Sequence, residues 1–108
     1  MAYRTEIEKL EQRHAENPKQ WFAALADAYR KQGALDLAID TVKEGIEERP
    51  DYASAHIVLG RCYLDKEMDD EAAGAFEQVK QLDAENIIAL KALGDIAERQ
   101  GDNSGARQ

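Results

Sequence analysis

Residues 56–63 read HIVLGRCY, and related stretches lie 34 residues away on either side, FAALADAY at 22–29 and LKALGDIA at 90–97. In this register the three stretches share a column of leucines and, directly after it, a column of small residues: Leu25, Leu59 and Leu93, then Ala26, Gly60 and Gly94. A fixed period of this length is typical of chains built from stacked, structurally equivalent units. The sequence therefore predicts a repeat architecture.

Each unit is predicted to be a pair of helices. In the first unit, apolar residues recur at the spacing of one helical face. Gly33 then provides a C-terminal stop, and Pro50 prevents continuation of the following helix. The predicted helices run over about residues 19–32 and 36–48 in the first unit, and over about 52–66 and 69–82 in the second.

The small residues at Gly60 and Gly94 are costly within helices, since glycine lowers helix stability by about 1 kcal/mol relative to alanine. We interpret them as sites where a neighbouring backbone comes close. Larger side chains at either position are expected to overpack the contact.

The segment before the first unit is predicted to be an amphipathic helix over about residues 3–16. Tyr3, Ile7, Leu10 and His14 follow one helical face, and Asn17-Pro18 separates the segment from the array. Such a helix is expected to cap the first unit. His14 lies at the edge of the apolar stripe, where we favour a structural role over a ligand.

The third unit is expected to be incomplete. Gly101 occupies the turn position, and Ala106 falls early in the second helix, where the sequence stops. We favour a sequence cut from a longer protein over a unit that lacks its second helix. In either case Leu90, Leu93 and Ile96 would lose a covering helix, which invites self-association.

Composition limits the functions open to this chain. Hydrophobic residues make up 44% and charged residues 33% of 108 residues, enough apolar material for one packed domain. The net charge of −8 disfavours nucleic acid and anionic membranes as partners. A single cysteine cannot form an internal disulfide, and the N-terminus has no apolar leader or membrane span. We therefore expect a cytoplasmic protein.

The repeated LADAY and LGRCY cores, together with Ala38, Ala72, Phe76 and Pro50, resemble the tetratricopeptide repeat (TPR) family. The resemblance implies an all-α, right-handed superhelical array of antiparallel helix pairs. Its predicted parts are an N-terminal capping helix at 1–17, repeats at 19–52 and 53–86, and a partial third repeat at 87–108. Glu67 departs from the pattern, because it replaces the turn glycine, and we expect this turn to be either strained or differently shaped.

Members of this family are interaction scaffolds, and the first helix of each unit usually lines a concave face. The resemblance implies a protein or peptide partner. The sequence has no Ser/His/Asp set, no glycine-rich phosphate loop and no metal-ligand spacing, so we expect no enzymatic activity, no cofactor and no metal. The alternative function is self-assembly through the array ends. The predicted partner-binding residues of this concave face are Gln20, Ala23, Asp27, Arg30, Ile57, Arg61, Leu64, Ile88, Lys91, Asp95 and Glu98.

The charges of this face are expected to be nearly balanced. With their helical neighbours included, they comprise five basic and four acidic residues: Arg30, Lys31, Arg61, Lys91 and Arg99, against Asp27, Asp65, Asp95 and Glu98. One subclass of the family binds a C-terminal carboxylate through an Asn/Lys/Arg clamp. The matching columns here hold Asp27, Arg61 and Asp95. Two acids in those columns predict that no such clamp forms.

Several of these charges have a second interpretation as ordinary surface pairs at i,i+4 spacing: Asp27–Lys31, Arg61–Asp65, Lys91–Asp95 and Asp95–Arg99. Ile57, Leu64 and Ile88 are predicted to form an apolar strip, although Leu64 alternatively packs within its own unit.

Two clusters raise the question of chemistry. His56 and Cys62 lie six residues apart, so their side chains point about 120° away from each other on a helix, and we interpret both as core residues. Asp69, Asp70 and Glu71 open a helix, where capping and the helix dipole explain them better than a bound cation.

Overall fold

The computed structural model describes residues 5–106, with side chains described as far as Gly101. This part of the chain contains helices and no strand. The helices are α1 (Glu6–Glu16), α2 (Pro18–Lys31), α3 (Leu35–Glu48), α4 (Ala53–Asp65), α5 (Asp69–Leu82) and α6 (Ile87–Ala106). The all-α prediction is confirmed, and the handedness of the superhelix stays a prediction. None of these helices is long and apolar enough to span a bilayer.

Local sequence signals set several helix ends. Thr5 and Glu8 form a reciprocal capping box at the start of α1, and Pro18 occupies the first turn of α2. Gly33 follows α2 with a φ of 86°, and Glu67 follows α4 with a φ of 59°. The predicted strain at Glu67 is confirmed, because it has the left-handed conformation that favours glycine.

Two groups of buried side chains form the core. The first core cluster centres on Phe22, Val42 and Cys62, and the second on Phe76 and Val79. α4 lies between them, since Val58 and Cys62 belong to the first while Ile57 and Leu64 pack against the second. Helices that neighbour one another in sequence pack together, and α2 also contacts α4. Each helix pair therefore completes the hydrophobic surface of the next.

α1 packs on α2 through its apolar face. Ile7 and Leu10 contact the first core cluster, while Tyr3 of the predicted stripe lies outside the described residues. The hydroxyl of Tyr29 donates a hydrogen bond of 2.6 Å to the carboxylate of Glu11. Burial, together with this bond, raises the pKa of Tyr29 to about 12. The contact fixes α1 against the first helix pair.

The structure differs from the prediction at Gly101. α6 continues through this residue to Ala106, so the expected turn and second helix are absent from the described residues. A turn here would leave residues 102–106, DNSGA, with almost no apolar side chain to pack back on α6. The prediction that Ile96 would be left uncovered is also wrong, because it packs with residues of α5 and is only 2% exposed. Leu90 is 46% exposed, as expected.

The two glycines of the small column prove to be different. A Cβ built on Gly60 would lie 2.6 Å from the ring of Phe76, so the close neighbour is a side chain rather than the expected backbone. A Cβ on Gly94 would meet nothing within 4 Å. Gly45, which the sequence did not single out, faces the ring of Phe22 still more closely. A larger side chain is therefore still expected to overpack the contact at Gly60, but not at Gly94.

Candidate partner-binding site

α4 and α6 form the two sides of an open groove of about 280 Å³, which we call the α4–α6 groove. It is lined by Arg61, Leu64, Phe76, Ile87, Ile88, Lys91, Ala92, Asp95 and Arg99. Five of the predicted partner-binding residues meet here: Arg61, Leu64, Ile88, Lys91 and Asp95. Enclosed small-molecule pockets have volumes of about 300–1,000 Å³, so this space suits one or two side chains of a partner.

The apolar part of the groove combines a buried base with exposed sides. Phe76 is 1% exposed and belongs to the second core cluster, against which Leu64 also packs. Ile88 is 43% exposed and Ile87 is 79% exposed, both in the first turn of α6. Two isoleucines exposed to water do not stabilise the helix that carries them. Burying them against a partner lowers the free energy, so this surface favours binding.

Three cations and one acid line the same groove, giving it a net positive charge within an acidic chain. Arg99 donates to both carboxylate oxygens of Asp69, at 3.1 and 3.2 Å. Lys91 pairs with Asp95 at 3.1 Å. No carboxylate of the described part of the chain lies within 4.0 Å of the Arg61 guanidinium. Arg61 is therefore the cation of the groove that an anionic partner group can reach without displacing an internal acid.

The acid expected beside Arg61 is engaged elsewhere. Arg30 of α2 donates to Asp27 and to Asp65, each at 3.0 Å, and its side chain is only 18% exposed. Burial alone would raise the pKa of Asp27, but hydrogen bonds from Arg30 and Lys31 outweigh it and lower the pKa below its ordinary value. Arg30 thus holds Asp65 in a network that joins α2 to α4.

Of the four predicted surface pairs, two are confirmed. Asp27 pairs with Lys31 at 3.3 Å, and Lys91 pairs with Asp95. The predictions that Arg61 pairs with Asp65 and that Arg99 pairs with Asp95 are wrong. Asp65 forms its ion pair with Arg30, and Arg99 forms its ion pair with Asp69. Both replacements join neighbouring helices of the array, which spacing along a single helix cannot reveal.

The other predicted partner-binding residues lie outside this groove. Ala23 is wrong as a contact residue, because it is 5% exposed and belongs to the first core cluster. Ile57 is half-buried against the second core cluster. Gln20 and Glu98 are exposed, and Asp27 and Arg30 are half-buried in their own ion network.

His56 and Cys62 are core residues, as the repeat register predicts. Nε2 of His56 lies 2.8 Å from the carbonyl oxygen of Pro50, which requires that nitrogen to donate. Cys62 is completely buried, and burial raises the pKa of its thiol to about 11. At neutral pH the sulfur is therefore a protonated thiol in the first core cluster rather than a reactive thiolate.

The acids at the start of α5 lie in its first turn, where they favour the helix dipole, but they do not cap the helix as predicted. Met68 is the N-cap residue and provides no side-chain bond to the helix. Asp69 instead binds Arg99, and Asp70 accepts a 2.9 Å hydrogen bond from Gln100. These acids tie α5 to α6. No group of three or more His, Cys, Asp or Glu side chains in the described residues is placed to hold a metal ion.

A larger cavity of about 490 Å³ lies where the α1–α2 corner meets the end of α3. Its lining includes Glu16, Glu44, Glu47 and Glu48, all of which are exposed. Solvated carboxylates around an open cavity need no ligand, and Lys19 already pairs with Glu48 at 3.8 Å. This cavity contains none of the predicted partner-binding residues.

Sequence reasoning missed Phe76, Ile87 and Ala92 as parts of the groove. Phe76 forms the base of the groove because Gly60 leaves room for its ring. The small residue at position 60 was therefore the sequence feature that could have indicated a large side chain packed against it. For Ile87, the signal was two successive isoleucines at a helix start, since both cannot face the same core.

A family model for the tetratricopeptide repeat matches residues 23–87. No curated protein matches the chain. The matched region begins within α2 and extends to the first residue of α6, so it includes most of α2 and all of α3, α4 and α5. TPR units generally mediate protein–protein interaction. This chain belongs to the tetratricopeptide repeat family.

Proposed function

We propose that this chain is a protein-interaction scaffold that binds a peptide segment of a partner in the α4–α6 groove. The repeats are proposed to follow the predicted boundaries, 19–52 and 53–86, with a partial third repeat at 87–108. Residues 87–99 of that third repeat contribute the far side of the groove. The bound segment is proposed to be extended, because the groove admits side chains rather than a further helix.

One observation carries this proposal: the α4–α6 groove joins exposed apolar side chains to accessible cations on two neighbouring units. Ile88 and Leu64 provide the apolar contact, and Arg61 and Lys91 lie beside them. Covering about 100 Å² of apolar surface contributes about 2.5 kcal/mol, which polar contacts must supplement for useful affinity. A preformed helical array contributes further, because it does not have to order itself on binding.

The test is selection of peptide ligands followed by a matched pair of variants. Peptides selected from a displayed random library on the 108-residue chain are titrated against Ile88→Glu and Leu37→Glu. Ile88 is 43% exposed within the groove, and Leu37 is 49% exposed on α3, outside it. We expect Ile88→Glu to weaken binding about tenfold or more and Leu37→Glu to leave it unchanged.

Circular dichroism and thermal melts establish that both variants are folded. Equal loss of binding in the two variants, or no loss in either, would show that the selected peptides bind elsewhere. Ile57 is a poor choice for this test, because its contact with the second core cluster makes its replacement a change in stability as well as in surface.

Self-association is a second candidate function, which the exposure of Leu90 on α6 favours. This leucine is 46% exposed, and Leu82 at the end of α5 is 42% exposed. A second copy covering them would remove apolar surface from water. We expect the average mass to rise with concentration in sedimentation equilibrium and Leu90→Glu to abolish the rise. A mass that stays monomeric up to millimolar concentration would exclude this function.

A further inference from the structure

The α4–α6 groove contains a cation whose expected internal partner is bound to another helix. Arg61 and Asp65 have the i,i+4 spacing that pairs side chains on one helix. The Asp65 carboxylate instead lies 3.0 Å from the Arg30 guanidinium of α2. Lys91 and Arg99, the other cations of the groove, both have carboxylate partners.

We infer that the α4–α6 groove selects partner segments in which a side-chain carboxylate lies next to a large aliphatic residue, and that Arg30 maintains this selectivity by holding Asp65 away from Arg61. The inference rests on the proposed function and specifies the partner. The aliphatic side chain covers Ile88 and Leu64, and the carboxylate binds the Arg61 guanidinium.

Charge and geometry both favour an acidic segment. The groove has three cations and one acid, although the chain carries a net charge of −8. An acidic segment is therefore repelled by the chain as a whole and attracted at the groove, which adds positional specificity. Arginine also matches a carboxylate in shape, since its planar guanidinium donates two parallel hydrogen bonds.

Arg30 is a positioning residue in this scheme, because it does not line the groove. Without its side chain, Asp65 is free to pair with Arg61 on the same helix. An internal acid then competes with the partner's carboxylate. The selectivity of the α4–α6 groove thus depends on an ion pair that joins two neighbouring units.

The probes are octapeptides acetylated at the N-terminus and amidated at the C-terminus, so that no terminal carboxylate is present. Each has two central leucines flanked by aspartate, by asparagine or by lysine. Fluorescence anisotropy measures their binding to the 108-residue chain. We expect the aspartate peptide to bind about three- to tenfold more tightly than the asparagine peptide, the range for a charged hydrogen bond at a partly exposed site.

Three variants test the mechanism, each shown to be folded by its thermal melt. Arg61→Gln is expected to abolish the preference for aspartate over asparagine. Arg30→Gln is expected to reduce it by at least half, and Arg30→Gln combined with Asp65→Asn is expected to restore it. Restoration is the distinguishing result, because Asp65 does not line the groove and its neutralisation would not repair damage to the groove itself.

The outcomes separate this inference from the proposed function. If the aspartate and asparagine peptides bind with equal affinity and Ile88→Glu abolishes the binding of both, the proposed function is supported and the acid selectivity is overturned. An unchanged preference in Arg30→Gln would overturn the role of Arg30. If no peptide of the three sets binds, the proposed use of the α4–α6 groove fails together with the inference.

Discussion

At the scale of single residues, the two turns that follow α2 and α4 have the same backbone shape but different occupants. Gly33 has a φ of 86° and Glu67 a φ of 59°. The backbone amides beyond both turns bond back to the same points of the preceding helix, Ala34 to Tyr29 and Met68 to Tyr63. The repeat thus imposes a left-handed residue even where the sequence provides glutamate.

Replacing Glu67 by glycine is expected to stabilise the protein by about 0.5–1 kcal/mol. Relief of left-handed strain, about 1–2 kcal/mol, exceeds the added flexibility of the unfolded chain. The matched change, Gly33→Ala, is expected to destabilise by about the same amount, since no neighbouring atom lies near its Cβ position. Urea unfolding measures both, and a loss of stability in Glu67→Gly would contradict the interpretation.

Gly60 and Gly94 form a second matched pair. We expect Gly60→Ala to destabilise by about 1–3 kcal/mol, because the new methyl group would overlap the ring of Phe76. Gly94→Ala is expected to stabilise by about 0.5–1 kcal/mol, since its Cβ meets open space and alanine favours helix. Thermal melts of the two variants should shift in opposite directions. Parallel shifts would show that the column acts as one unit.

At the scale of secondary-structure elements, ion pairs join neighbouring helices of the array. Arg30 joins α2 to α4 through Asp65, and Arg99 joins α6 to α5 through Asp69. Lys66, directly after α4, pairs with Asp36 of α3. These contacts supplement apolar packing and fix how one helix is rotated against the next.

The ion pairs of Asp27 predict how stability depends on pH. Because the folded-state pKa of Asp27 lies below its ordinary value of 3.8, its contribution is present above about pH 4 and is lost as pH falls through the folded-state pKa. We expect Asp27→Asn to destabilise by roughly 1 kcal/mol at neutral pH and to differ less from the wild type below pH 4. Urea unfolding across pH 2–7 measures this.

Asp95→Asn is the control for that experiment, since the Asp95 side chain is 50% exposed and its pairing with Lys91 is solvated. Its effect at neutral pH is expected to be smaller than that of Asp27→Asn. Equal effects of the two substitutions at every pH would show that the network around Arg30 adds nothing beyond surface pairing.

At the scale of the whole molecule, the chain is elongated. Its principal extents are 61 × 28 × 20 Å, and its radius of gyration is 15.5 Å. A compact domain of this length would have a radius of gyration of about 13 Å. The difference follows from the repeat, because helices pack on near neighbours along the chain rather than around one centre.

Local packing predicts an uneven distribution of stability. α1 packs mainly on α2, and α6 packs mainly on α5, whereas the four central helices contact neighbours on two sides. We expect amide hydrogens of α1 and α6 to exchange faster than those of α2 to α5, because each outer helix can open while the others stay packed. Hydrogen exchange read by mass spectrometry tests this. Uniform protection across all six helices would indicate one cooperative unit.

The sequence by itself determined the period, the five helices from α1 to α5 and the core positions of His56 and Cys62. These follow from apolar spacing and from glycine and proline at element ends, which are local properties. It also identified five residues that meet in the α4–α6 groove, because the repeat register places them on corresponding helix faces.

Only the tertiary structure decided which charges pair and which glycine is crowded. Asp65 forms an ion pair with Arg30 rather than with Arg61, and Gly60 rather than Gly94 lies against an aromatic ring. It also decided that α6 continues through Gly101 and that Ala23 is buried. The charge pairings, the crowding of Gly60 and the burial of Ala23 share one physical reason. Each depends on what a neighbouring helix places within a few ångströms, and spacing along one helix does not contain that information.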